Sequence, residues 1–218
     1  MIRWPGRKVR ATPIGVDFGA SALKLLQLAP DEPARLLAAA AKALPPETAK
    51  DPDARASFLA KALRELHRQG GFHGLRVIAS LPAELTYSRH VRIAAGANGV
   101  TDRQVRDALA DQLPVPPDRM VIRHIDVGPI ASDGSSQREV ICMAVSRSAV
   151  MHHIEILSKA GLNPVGLHSQ PVALGRAFAD LFRRNDDDQR TVFFVDIGLH
   201  TTKALVSHGG RIVFAKLI

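Results

Sequence analysis

Two stretches of this 218-residue chain carry the same three reactive residue types at the same spacing. The first reads Val16-Asp17-Phe18-Gly19-Ala20-Ser21-Ala22-Leu23-Lys24, and the second Val195-Asp196-Ile197-Gly198-Leu199-His200-Thr201-Thr202-Lys203. Asp, Gly and Lys fall in register. A carboxylate at the end of a strand can hold a hydrated cation, and a glycine two positions on lets the backbone turn tightly and offer bare N–H groups to an oxyanion. That combination suits a phosphate and Mg²⁺. A single copy serves equally well as hairpin turn chemistry, where Asp and Gly are common. Repetition favours the first reading, because self-similarity within a chain marks a duplicated structural unit. Two such turns facing each other across a cleft would grip one polyphosphate from both sides.

Each turn needs strands on either side of it. Ile14 to Leu28 reads as apolar strand, tight turn, apolar strand. Ala34 to Leu44 is alanine-rich, which favours helix, yet the parallel segment Arg211-Ile212-Val213-Phe214-Ala215 reads as strand, and we assign a strand to both. Asp53 to Gln69 places Phe58, Leu59, Ala62, Leu63 and Leu66 on one face, an amphipathic helix closed by Gly70-Gly71. Leu75 to Ser80 is a short strand stopped at Leu81-Pro82. A smaller unit follows, with a strand over Thr86 to Ala94 and a helix over Thr101 to Gln112 capped by Thr101. Strands over Met120 to Val127 and Val140 to Val145 complete it, joined by the polar loop 131–136. Ser148 to Ala160 is a helix closed by Gly161, Val165 to His168 a strand, and Val172 to Arg184 a helix. The polar patch Asn185 to Gln189 leads into the second turn.

Composition narrows the classes. Hydrophobic residues make up 46% and charged residues 23%, as in ordinary globular proteins. The single cysteine, Cys142, lies in the apolar run VICMAV. It reads as a buried small hydrophobe in a cytosolic setting, and a disulfide framework is excluded by count. No apolar run approaches the roughly 18 residues of a membrane span, and the start lacks a secretory core. The net charge of +8 is partly gathered in MIRWPGRKVR, which could touch anionic lipid or nucleic acid but reads first as a solvated terminus, since termini fray. Aromatic residues are only 5%, and Arg55, Lys61, Arg64, Arg68, Arg103 and Arg106 fall on the solvent faces of helices, so specific nucleic-acid binding is not expected. His152 and His153 point in different directions on a helix and have no Cys or carboxylate cluster beside them, so a metal centre with His124, His168 or His200 is not expected.

The doubled turn resembles the phosphate hairpins of the nucleotide-binding superfamily of actin, heat-shock chaperones and sugar kinases. Within it, the order of parts resembles the PilM family, actin-like cytoplasmic components of type IV pilus machinery related to the cell-division protein FtsA. The residues that carry this are IGVDFGASALKLLQL, Leu81-Pro82 at the opening of the small unit, and later REVICMAVSR, AGLNPVGL and VDIGLHTTK. The fold implied is α/β: an actin-like (ribonuclease H-like) domain with an inserted strand-helix-strand-strand subdomain, followed by the start of a second actin-like half. Residues 1–80 and 163–188 would form the first subdomain, 81–162 the insert, of the SHS2 type, and 189–218 the beginning of the second half.

By the same resemblance the cofactors are ATP and Mg²⁺, with Asp17 and Asp196 holding the metal through water. Gly19, Ala20 and Ser21 would offer backbone N–H groups to the β- and γ-phosphates, and Lys24 stands where actin's first hairpin sends a lysine to phosphate. Asp196, Gly198, Thr201 and Thr202 would form the opposing loop. Gln170 sits where relatives keep a Gln or Glu that positions water or metal. Ala20 departs from the family's usual Ser or Thr and removes a hydroxyl from the cradle. The sequence ends at Ile218 in the third strand after the second turn, before the family's Gly-rich adenosine loop. The expectation is therefore a fragment or truncated relative that does not bind ATP tightly.

The implied role is an adaptor, non-catalytic or a weak ATPase, in the cytoplasm at the inner face of the inner membrane. Its partner would be the N-terminal cytoplasmic tail of a PilN-like bitopic membrane protein, held in a groove between the large domain and the insert, with exposed apolar side chains near Leu81 to Arg92 as candidates for its lining. Membrane contact would be peripheral, and self-association is compatible with the resemblance. The alternatives are a small-molecule kinase of the same superfamily, or an FtsA-like division or type II secretion scaffold. A kinase needs an acidic base beside the γ-phosphate, and the insert shows no dedicated acid.

Overall fold

The computed structural model describes residues 10–94, 99–130, 137–178 and 188–218. The basic start, the loop 131–136, and residues 179–187, which hold the end of the expected helix and most of the patch before the second turn, lie outside the described residues. In chain order the strands are β1 (Ile14–Phe18), β2 (Ala22–Ala29), β3 (Arg35–Ala43), β4 (Arg76–Leu81), β5 (Tyr87–Ala94), β6 (Met120–Ile130), β7 (Gln137–Ser146), β8 (Asn163–Ser169), β9 (Thr191–Ile197), β10 (Thr202–His208) and β11 (Arg211–Leu217). The helices are α1 (Pro52–Gln69), α2 (Asp102–Leu109), α3 (Arg147–Lys159) and α4 (Gln170–Ala177). Two compact units form, 1–80 with 154–167, and 81–153 with 168–218.

The first unit is built on a five-stranded sheet in the order β3-β2-β1-β4-β8, with β1 antiparallel to β2 and parallel to β4. Strand side chains alternate between faces. Ile14, Val16 and Phe18 therefore point together into a core with Leu59, Leu63, Val77, Ile156 and Leu157, while Asp17 falls on the other face. The alanine run of β3 is a strand, paired with β2 from Ala22↔Ala43 to Ala29↔Arg35. Pairing to a formed neighbour overrides alanine's helical preference. α1 starts where Asp51 accepts from the Asp53 and Ala54 N–H groups, both at 3.0 Å, and Pro52 needs no donor partner. Gln27 is fully buried. Its carboxamide donates to Thr12 O and His73 O, each at 2.8 Å, and accepts from the His73 N–H at 2.7 Å.

The second unit holds two three-stranded sheets, β5-β7-β6 and β11-β10-β9. β5, α2, β6 and β7 give the expected strand-helix-strand-strand order, and Thr101 with Gln104 makes a reciprocal capping box on α2. α2 ends at Leu109, shorter than expected, and residues 110–112 close by bonds such as Gln112 N–H to Leu109 O at 2.9 Å. Val105 and Leu109 pack on Val91, Ile93, Ile122, Val140 and Cys142. The opposite face of β7, through Ile141 and Met143, packs on Leu205 and Ala215 of the second hairpin. Covered on both sides, β7 is apolar without alternation from Val140 to Val145. Burial pushes the Cys142 thiol up to about 11, as suits an inert core residue. Among the described residues no helix is long and apolar enough to cross a membrane.

Candidate functional site

The first turn links β1 to β2 with Asp17 directly opposite Lys24 in the ladder, Lys24 Nζ lying 3.7 Å from Asp17 Oδ2. Asp17 also pairs in parallel register with Ser80 at the end of β4, and Ser80 Oγ donates to Asp17 Oδ1 at 2.8 Å. A Cβ on Gly19 would come within 2.6 Å of Ala22 O, so only glycine fits. Among the described residues, the N–H groups of Gly19, Ala20 and Ser21 meet no protein acceptor. Arg55 Nη2 donates to Gly19 O at 3.2 Å. The first turn thus combines unpaired backbone donors, a lysine whose side chain is 63% exposed and a carboxylate anchored by a hydroxyl. That set fits a phosphate and a hydrated divalent cation.

The second turn repeats the backbone and reverses the surroundings. Asp196 again stands opposite Lys203 in the ladder, and a Cβ on Gly198 would come within 2.9 Å of Thr201 O. Here the Gly198 N–H is used within the turn, donating to Thr201 O at 3.0 Å. Lys203 is only 9% exposed, and its Nζ reaches Asp196 Oδ2 at 2.8 Å and Gln170 Oε1 at 3.1 Å. The structure therefore gathers Asp196, Lys203 and Gln170, the first residue of α4. The Lys203 side chain is buried, unlike that of Lys24. Thr201 and Thr202 are partly buried at the turn's far side, and Thr202 exchanges two backbone bonds of 2.8 Å with Ile218.

The cause of the difference is which face of each hairpin is covered. In the first copy Ile14, Val16 and Phe18 are 0%, 3% and 1% exposed, and Asp17 and Lys24 occupy the open face. In the second, Phe193, Val195 and Ile197 hold the equivalent positions and are 62%, 50% and 81% exposed. The covered face is the one bearing Lys203, Leu205 and Ser207. α4 packs there through Gly175, where a Cβ would meet Ile212 Cδ1 at 2.8 Å and Leu205 Cδ2 at 3.4 Å.

Two residues at the first turn escaped sequence reasoning. Ser80 was legible only as a polar residue closing an apolar strand. Arg55 was placed on a solvent face and instead bonds the turn; nothing local distinguishes it from Lys61 or Arg64. Of the histidines, His153 Nδ1 lies 2.8 Å from Ala149 O, and His124 Nδ1 lies 3.4 Å from Asp102 Oδ1. Among the described residues no three His, Cys, Asp or Glu side chains gather as metal ligands. Burial, then the neighbouring Arg176, holds the His168 imidazole below its ordinary value.

The sequence pattern that defines the family "Type IV pilus assembly protein PilM" matches residues 15–217. The chain belongs to the PilM family. Its fold is actin-like. It is similar to a chain of a PilM-PilN type IV pilus biogenesis complex at a TM-score of 0.78 and 22% identity, over 94% of this chain and 61% of that one. This PilM-family chain thus spans about three-fifths of that structure's length. It is also similar to the cytoplasmic domain of EpsL, an inner-membrane component of the type II secretion system of Vibrio cholerae. There the TM-score is 0.54 and the identity 14%, over 94% and 70% of the two chains. A protein of Bacteroides thetaiotaomicron with an actin-like ATPase fold and unknown function gives a TM-score of 0.51 at 8% identity, over 97% and 70%. No curated protein sequence matches.

Proposed function

We propose that this PilM-family chain works as an actin-like adaptor of the pilus assembly platform, at the cytoplasmic face of the inner membrane. It holds the N-terminal cytoplasmic tail of a PilN-like bitopic membrane protein, and in the complete protein it binds Mg²⁺ and ATP between its two actin-like halves. The partition into 1–80 with 163–188, the insert 81–162 and the second half from 189 belongs to this reading. The observation that carries it is the first turn, whose Gly19, Ala20 and Ser21 N–H groups meet no acceptor among the described residues while Lys24 stays exposed. Those groups would hold the β- and γ-phosphates, and Asp17 and Asp196 would hold the cation through water. Bound Mg²⁺ would neutralise phosphate charge. The family match together with the resemblance to a chain of a PilM-PilN type IV pilus biogenesis complex supports the choice of partner.

Nucleotide in this scheme biases the arrangement of the two halves and so the grip on the tail, which requires differential affinity for the two arrangements. The test is calorimetric titration of a synthetic PilN-like tail peptide into the protein with and without saturating MgATP. Saturable binding is expected, with an affinity that changes with MgATP by the same factor by which the peptide changes MgATP affinity. Phosphate transfer from ATP to a small hydroxylated substrate, with no peptide binding, would replace the adaptor by the kinase reading.

A further inference from the structure

The phosphate-binding groups invoked above at the first turn come from the hairpin itself, but its geometry is also set from outside. Arg55 lies near the start of α1, and its guanidinium donates to Gly19 O at 3.2 Å. The Gly19–Ala20 peptide is trans. In a trans peptide the C=O and the following N–H point in opposite directions. Fixing Gly19 O towards α1 therefore fixes the Ala20 N–H away from it, with no protein acceptor among the described residues. Residue 19 is a glycine, the residue type least able to resist a peptide flip by its own sterics. A flip would exchange the donor for a carbonyl oxygen and turn an attractive corner into a repulsive one. Position 20 is alanine, with no hydroxyl to compensate.

α1 is a rigid base for this contact. Asp51 caps its first N–H groups, and Leu59, Ala62 and Leu63 are in the core. We propose that Arg55 is a positioning residue for the first turn, holding the Gly19–Ala20 peptide in the orientation that presents the Ala20 N–H to a nucleotide phosphate. This rests on the nucleotide reading above. Arg55 itself needs no contact with the anion. Its partner is the carbonyl on the opposite side of the peptide plane.

The test uses the whole ¹⁵N-labelled chain, with Arg55→Met and Arg55→Lys, MgATP as probe up to millimolar concentration, and urea unfolding as a control. Wild type is expected to show a saturable displacement of the Ala20 amide signal. Arg55→Met is expected to weaken MgATP by about tenfold, the worth of one charge-assisted hydrogen bond, and to abolish the displacement at Ala20. Arg55→Lys, which keeps a donor for Gly19 O, should retain most of it. In the free protein, residual dipolar couplings should show the Ala20 N–H vector fixed in wild type and averaged in Arg55→Met. If Arg55→Met folds and keeps the wild-type Ala20 displacement and affinity, the role assigned to Arg55 is wrong while the nucleotide reading stands. If wild type shows no saturable change at Gly19, Ala20 or Ser21, the nucleotide reading falls and this inference with it.

Discussion

Lys24 and Lys203 hold the same place in their hairpins, and their chemistry is separated by what covers them. Lys24 makes one long, exposed contact, and exposed pairs of that kind contribute little once water screens them. Lys24→Ala should therefore lower stability by less than about 0.5 kcal/mol. Lys203 gives Nζ hydrogens to a carboxylate and a carboxamide from a buried position, so Lys203→Ala should cost about 2 kcal/mol, read from urea unfolding of both variants. His168 gives a pH dependence with a definite sign. Its folded value lies below the ordinary 6.5, so as pH falls the unfolded chain binds the proton first. Its contribution is complete above 6.5 and is lost as pH drops through the lower folded value. Between 6.5 and that lower value, unfolding midpoints should fall more steeply with falling pH in wild type than in His168→Gln. Arg176 Nη1, 3.3 Å from His168 Nε2, can donate only to the neutral ring. Asp17, Gly19 and Lys24 were legible at this scale because type and spacing repeat. Ser80 and Arg55 were not, since they meet the turn from 63 and 36 residues away.

Among the elements, β3 shows what duplication adds to local propensity. Its alanines favour a helix, and only the strand-like segment at the same place in the second copy argued for the ladder that forms. Duplication misleads about burial, however. Phe18 and Ile197 align, and the first is buried in the core cluster with residues of α1 and α3 while the second is open. Phe18→Ala should cost about 3–5 kcal/mol, whereas Ile197→Ala should stay within about 0.5 kcal/mol in urea unfolding. Comparable losses at both sites would mean that the exposed row on β9 is covered in solution. The face a strand buries depends on elements distant in sequence, and alternation alone does not choose between the two faces.

At the scale of the whole molecule, the order of elements was readable because strand and helix periods differ and the D-x-G turn marks each copy. The grouping of residues 154–162 with 1–80, and of 168–218 with 81–153, was not. That grouping is set by packing among segments far apart in sequence. The positive charge gave no fold information either: Arg138 pairs with Asp126 at 2.8 Å and Lys42 with Glu65 at 2.6 Å, and Lys42 holds the Glu65 carboxyl below the ordinary range. Such pairs are neutral and leave the net charge of +8 unchanged, so the composition does not show which basic residues have local partners.

One buried side chain restricts which sequences can keep this architecture. The Gln27 carboxamide faces two carbonyl oxygens and one amide hydrogen at once. Glutamate matches it in length and shape, but an ionised carboxylate has nothing to give, and two lone-pair-bearing neighbours would confront a negative charge in the dry interior. At this position a near-isosteric exchange of amide for acid, harmless on a surface, puts a charge where two donors are required.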